Sequence, residues 1–317
     1  MQPDLRAISL CLVFAFGTAC GDGGEPEAAE EAASDVAEPV TDLEPSTEGV
    51  IVSGFSGPES VVHDTRADVY LVSNVNGDVF AEDGNGFISR VEPDGTVSDL
   101  KWIDGAADGV ILNGPKGLAL SGDTLFVADL DVVRLFDRET GAPLGGWGLE
   151  NASMLNDIAV APDGTVYVSD SGVRVGASGI EDTGRAAIHQ FGPERSHRIL
   201  DAGDVSRING IAERSGTLFG VASFGSGAIF SVLGGVRTEL PQLPGVNLDG
   251  IIVTDDGGLL ISDWSTQAVY LLRPNGSASA VVKNVESPAD IGLDRRRHRL
   301  LIPGLMTDQV LLAPLPG

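Results

Sequence analysis

A short phrase returns six times along this 317-residue chain, each time opening an apolar run: Glu59-Ser-Val, Lys116-Gly-Leu, Asn156-Asp-Ile, Asn209-Gly-Ile, Asp249-Gly-Ile and Ala289-Asp-Ile. Successive first residues are 57, 40, 53, 40 and 40 positions apart. These steps lie at or slightly above a four-stranded propeller blade of about 40–45 residues, with insertions in the two long ones. A ring that stacks its repeats around an axis would gather all six first residues into one column. Four of the six, Glu59, Asn156, Asn209 and Asp249, carry hard oxygen donors. Two carboxylates and two amides converging on one point make a cage suited to calcium or another divalent cation.

The rest of each repeat supports an all-β, six-bladed β-propeller. After each column residue comes a strand, a tight turn, and a second strand rich in β-branched and aromatic residues. The third copy shows this cleanly: Asn156 to Val160 alternates, Ala161-Pro-Asp-Gly164 turns, and Thr165 to Asp170 returns. Pro and Gly stand where a hairpin connection can use them. A third strand recurs at Phe87–Arg90, Val132–Leu135, Ala187–Gln190, Ala228–Ser231, Ala268–Leu271 and Gln309–Leu312. Long helical periodicity is missing from this body. The sixth repeat has only three such strands, which would leave an unpaired edge. Gly49-Val-Ile-Val-Ser53 has the composition to fill it, as the outer strand of the last blade.

Residues 1–19 read as a lipoprotein signal peptide, 20–48 as a disordered acidic tether and 49–317 as the propeller. Ala7 to Phe16 is apolar, follows Arg6 and precedes Gly17-Thr-Ala-Cys20, so Cys20 is expected to be the first mature residue and lipidated. The run is too short to span a bilayer. This places the protein at a bacterial cell envelope, on the outer membrane or periplasmic face, with secretion as the alternative. Cys11 falls within the removed run, which leaves no disulfide and no catalytic thiol in the mature body. The tether carries ten acidic residues and neither Lys nor Arg. Such composition cannot build a core.

The net charge is −26, and no basic face is evident for phosphate, which argues against nucleic acid as a partner. Metal cations and small neutral or cationic molecules suit the charge better. Zinc is disfavoured, because the four histidines include no pair at ligand spacing. His298 lies in a charged turn, and His63 and His189 sit in strand patterns as packing or solvent-facing residues.

From residue 50 onward the chain resembles the senescence marker protein, gluconolactonase and luciferin-regenerating enzyme family, and more distantly the paraoxonases and diisopropyl fluorophosphatase. The resemblance is carried by Pro58-Glu59-Ser60, Asn156-Asp157, Asn209-Gly210 and Asp249-Gly250, in order and at blade spacing. It implies a calcium-centred six-bladed propeller with Glu59, Asn156, Asn209 and Asp249 as metal ligands and Asp249 also as the catalytic carboxylate. The chain departs from the family where gluconolactonases tend to carry an Arg for sugar hydroxyls, two residues before the Asn-Asp pair. Met154 stands there. Met154 and Leu155 at the mouth would suit a less polar lactone or ester.

The expected chemistry is hydrolysis of a small lactone or ester by a monomer, with calcium polarising the carbonyl and Asp249 acting as base or nucleophile. Lys116, within Asn113-Gly-Pro-Lys-Gly-Leu118, adds a cation to the column. Either it assists catalysis at a substrate oxygen or it forms a structural ion pair with Glu59. A non-enzymatic binding ring with a structural calcium is the competing reading. A calcium-dependent quinoprotein is a third, but no basic and aromatic cluster marks a quinone site.

Overall fold

The computed structural model describes residues 48–191, 196–201, 205–222 and 226–316, and every regular element among them is a β-strand. The leader and tether expectations, Cys20 included, lie outside these residues. Six four-stranded antiparallel sheets follow one another along the chain, five of them running inner to outer strand in sequence order. The third blade carries the one interruption, a hairpin of Val173–Gly176 and Gly179–Asp182 between its second and third strands. Inner strands of neighbouring blades touch around the axis, and Ser262 Oγ closes the fifth-to-sixth step by donating to Ala289 O at 2.8 Å. The six-bladed propeller expectation is met.

Each seam between blades holds one apolar cluster, and the strand period explains how. In Thr124–Asp129, Leu125 and Val127 pack toward the first blade with Leu71 and Ile88. Phe126 and Ala128, pointing the other way, pack toward the third blade with Val166 and Val168. Successive side chains in a strand face opposite sides, so a strand buried on both faces reads as a continuous apolar run. This is why the second strands carry the most uniform hydrophobic stretches of the blades.

The ring closes as expected. Val50–Ser53 pairs antiparallel with Gln309–Pro314, giving the last sheet its fourth strand. Val52 and Phe55 are each 5 % exposed and pack with Val310, Leu312 and Tyr70 across the final seam. Burying side chains of this size contributes about 1.5–3 kcal/mol each. Val52→Asp should therefore lower stability by about 3–5 kcal/mol, because the new carboxylate has no buried partner. Ile51→Asp, on the face that is 62 % exposed, should shift the urea midpoint little. Equal effects of the two substitutions would show that the strand does not clasp the ring through Val52.

Charged turns join the blades at the end of the ring where the inner strands finish. Arg138 of the second blade holds Asp64 of the first through Nη2 at 2.5 Å and Nε at 3.0 Å. Arg297 of the sixth blade bonds Asp68 at 2.7 Å and Asp294 at 2.8 Å. His63 belongs to this network rather than to plain packing: Nε2 lies 2.9 Å from Asp68 and Nδ1 3.5 Å from Asp294. His298 is exposed in its turn, as expected.

Candidate metal and active site

Five of the six column residues sit at a repeated backbone irregularity. In five blades the pairing of the inner strand with the second strand skips, between Pro58 and Val61, Pro115 and Leu118, Leu155 and Ile158, Ile208 and Ile211, and Leu248 and Ile251. A bulge turns side chains out of the plain alternation and leaves an amide without its ladder partner. In three blades a serine of the second strand accepts that amide: Ser73 from Ser60 at 2.8 Å, Ser169 from Asp157 at 2.9 Å, and Ser262 from Gly250 at 2.8 Å.

A second recurring side chain fixes the loop that enters the inner strand. Asp129 accepts from the amides of Asn113 and Gly114 at 3.0 and 2.9 Å, and Asp170 from Met154 at 3.1 Å. Asp263 accepts from Asn247 at 3.4 Å, and Asn74 from Ser56 at 3.0 Å. These residues position the column but were not singled out from the sequence. Their signal was present as a small residue followed by Asp or Asn at the end of four of the six second strands: Ser73-Asn74, Ala128-Asp129, Ser169-Asp170 and Ser262-Asp263.

The inner strands then approach so closely that the second position of the phrase is restricted. A Cβ on Gly117 would stand 2.5 Å from Asp157 Cα, and one on Gly210 would stand 2.3 Å from Asp249 O. Only glycine fits against a neighbouring backbone at that separation. Where the second position is not glycine, its side chain links blades instead. Ser60 Oγ donates to Asp290 Oδ2 at 2.5 Å, and Asp157 Oδ2 accepts from Ile211 N at 2.7 Å.

Three layers result along the axis. In the first, Glu59, Asn156, Asn209 and Asp249 are each 6 % exposed, beside Lys116 at 1 % and Ala289 at 0 %. The second contains the buried carboxylates of Asp157 and Asp290. The third is aliphatic: Val61, Leu118, Ile158, Ile211, Ile251 and Ile291 line, together with those carboxylates, His63 and Arg295, an open pocket of about 230 Å³.

The first layer is short of donors. Glu59 Oε2, Asn156 Oδ1 and Asp249 Oδ1 are buried and receive no hydrogen bond. Asn156 Nδ2 donates to Ser171 Oγ at 3.2 Å, which fixes its amide and leaves the oxygen open. Asn209 is hydrogen-bonded to the Asp249 carboxylate, and its Oδ1 is buried in the same layer. Buried acceptors are normally satisfied, so buried oxygens without donors at the same position of several blades call for a partner. Among the described residues no three His, Cys, Asp or Glu side chains cluster for a metal, so a cation here would rely on the two amides as well as Glu59 and Asp249. All these donors are oxygens, a set that fits a hard ion.

Electrostatics agree with that fit. Burial, followed by the charges of Asp249 and Asp290, raises the Glu59 carboxyl well above the usual range, with Lys116 pulling the other way. Burial and Asp290 push Asp249 up to about 8, partly offset by neighbouring donors, the Asn209 amide among them. Burial lifts Asp290 to about 7, against the Ser60 hydroxyl. Burial likewise depresses the Lys116 ammonium, and Glu59 is the main opposing charge.

Lys116 does not make the ion pair with Glu59 that one sequence reading allowed. Its Nζ donates to Gly114 O at 3.0 Å and Val79 O at 3.2 Å, and no Lys116–Glu59 contact reaches ion-pair distance. The two interact through space without direct contact. Met154 is half-buried where the inner strand of the third blade begins, whereas Leu155 is fully buried in the seam with the second blade. Leu155 is therefore a core residue and does not line the mouth. It already pairs with Asp170 in the sheet, ahead of the bulge.

A structural-genomics target named as a gluconolactonase superposes with a TM-score of 0.64 at 17% identity, covering 86% of this chain and 94% of its own. The fold is that of the gluconolactonase propellers. The Xanthomonas campestris gluconolactonase XC5397 superposes at 0.59 with 20% identity, over 87% of this chain and 100% of its own. A streptogramin B lyase also superposes at 0.59, with 11% identity, over 85% of this chain and 96% of its own. No protein-family model and no curated protein sequence matches the chain. One frame thus carries proteins named for different reactions, so function here rests on the residues of the site.

Proposed function

We propose that the chain is a calcium-dependent hydrolase of a small lactone or ester, held at a bacterial cell envelope through lipidated Cys20. The observation that carries this reading is the layer of buried acceptors without donors at Glu59, Asn156 and Asp249, which arises from three different blades. A purely structural ring could fill such a layer with aliphatic side chains, as this ring does two positions further along each inner strand.

Glu59, Asn156, Asn209 and Asp249 would hold the ion, leaving coordination positions for water and substrate. Calcium bound there supplies polarisation of the substrate carbonyl. The chain's own groups do the rest. Asp249 takes the proton of the attacking water at its carboxylate, and the burial that raises its proton affinity opposes the acidifying pull of a neighbouring cation. Lys116 keeps a second positive charge near Glu59, where it stabilises negative charge developing on a substrate oxygen. Met154 replaces a polar sugar contact with a thioether, which favours a less polar substrate than a sugar lactone.

A panel of lactones and aryl esters, assayed with calcium and again with chelator, tests the reading. Turnover that chelator abolishes and calcium restores is the expected result. Absence of turnover across the panel, with calcium still bound, would leave a calcium-stabilised binding ring instead. Lys116→Met separates the two roles of that residue. Lost turnover with calcium affinity retained or increased is expected, since removing a neighbouring cation eases metal binding. Unchanged turnover at saturating calcium would assign Lys116 to structure.

A further inference from the structure

The hairpin of Val173–Gly176 and Gly179–Asp182 is a part of the third blade that the propeller frame does not require, and its root lies at the candidate site. Asp170 pairs with Leu155, so the second strand of that blade ends where the inner strand begins, at the end of the ring that carries the column. Ser171 then donates its amide to Met154 O at 2.8 Å and its hydroxyl to Ile208 O at 2.7 Å, while Oγ accepts from Asn156 Nδ2 at 3.2 Å. The neck of the hairpin is closed. Thr183 donates to Gly172 O from N at 2.7 Å and from Oγ1 at 2.8 Å, and a Cβ on Gly172 would stand 2.3 Å from Ala186 N.

The two faces of the hairpin differ. Register sets Val173 opposite Asp182 and Val175 opposite Ile180, and these four share one face because side chains alternate along a strand. The other face carries the ion pair of Arg174 and Glu181 at 3.6 Å. On the first face Val173 is 5 % exposed, and Asp182 accepts from Arg207 Nε at 2.7 Å. Arg207 stands two residues before Asn209, and its amide donates to Ser171 O at 3.0 Å. That face therefore turns toward the entry of the fourth blade, beside the two column amides Asn156 and Asn209. Farther out on it, Val175 and Ile180 are 60 % and 45 % exposed as a cross-strand apolar pair. Adjoining apolar side chains left in water beside a polar site mark a place for a ligand's apolar part.

We propose that this hairpin is the specificity wall of the site: Val175 and Ile180 receive the apolar chain of a lactone or ester whose carbonyl lies at the column, and the Asp182–Arg207 pair sets the wall beside the mouth. This rests on the hydrolase reading above and narrows its substrate to one that carries an alkyl chain. Met154, whose carbonyl is bonded to the root of the hairpin, adds an apolar side chain at the same mouth, which favours a chain-bearing small molecule over a second copy of the protein.

p-Nitrophenyl esters from acetate to octanoate, assayed with calcium, read the wall as a chain-length profile. In the wild type kcat/KM should rise with chain length. Val175→Ser combined with Ile180→Ser should lower it about tenfold for octanoate, through KM, and leave acetate unchanged, since small differences in apolar contact are worth a factor of this size. Both positions are exposed, so the urea midpoint should hold. Calorimetry of free octanoate against the calcium-loaded protein gives a readout without turnover, and affinity should again fall about tenfold in the double variant. An unchanged profile with unchanged octanoate affinity would overturn the wall, as would equal losses at every chain length. A wild-type dimer that the double variant dissolves, with its profile intact, would make the apolar pair a contact between copies instead. If the wild type turns over no ester, the hydrolase reading falls, while octanoate binding that weakens in the double variant would keep the wall. Absence of both turnover and octanoate binding would remove the two together.

Discussion

Asp249→Asn is expected to lower turnover of the best lactone or ester by about 100- to 10,000-fold at saturating calcium, the range in which removal of a positioned base acts. Asparagine keeps the size of the side chain and an oxygen for the cage, so the loss comes from the missing charge and the missing proton acceptor. The substitution should not harm the metal-free fold. Burial and the Asp290 charge already hold that carboxyl up to about 8, so a neutral amide is spared the cost of taking up a proton on folding. Raised metal-free stability together with lost turnover is a signature that general damage to the ring does not produce. Single-turnover hydrolysis in ¹⁸O-labelled water adds a second readout: label in the product alone fits a base, while label entering Asp249 fits a nucleophile. Near-wild-type turnover in Asp249→Asn would remove Asp249 from the chemistry.

Much of this was legible in the chain because a propeller repeats its constraints. Each blade needs a turn after the inner strand and an apolar second strand, so Ala161-Pro-Asp-Gly164 and Thr124–Asp129 announce themselves. The clasp at Val50–Ser53 was legible for a related reason, since the last repeat lacked a strand and an edge must pair. The bulge at the column was harder to read. Simple alternation cannot show where a strand gains an extra residue, and that is why Leu155 seemed to belong to the mouth while it packs in a seam. The second-layer carboxylates stood in plain view as Asn156-Asp157 and Ala289-Asp290, yet the first position of the phrase drew the reading. Lys116 could not be placed from its column alone, because the carbonyls of Gly114 and Val79 that hold it depend on loop shape.

The metal-free protein should lose thermal stability as pH rises from about 4 to about 8, and calcium should restore it, an effect that follows from the same buried acids. Asp249 and Asp290 take up protons in the folded chain at about 8 and about 7, and Glu59 is raised as well. Unfolded carboxyls titrate near about 4. Between those limits the folded state binds more protons than the unfolded state, so stability falls with rising pH. The contribution is complete below the unfolded values and is lost as pH passes through the folded ones. Asp64 and Asp68 work in the opposite sense, since Arg138 outweighs the burial of Asp64, and Arg297 and His63 hold Asp68 low. Their contribution is lost only as pH falls below about 4, so the two effects occupy separate windows. Calcium binds only the folded cage, and at a hundred times its dissociation constant should add about 2.7 kcal/mol. It should add most near pH 8, where the carboxylates must otherwise ionise without partners. Melting scans of chelated and calcium-loaded protein across pH 4 to 9 would read both terms, with Asp249→Asn flattening the chelated profile. A chelated protein as stable at pH 8 as at pH 5 would mean that these carboxylates are not held uncompensated on the axis, and the cage would lose its electrostatic basis.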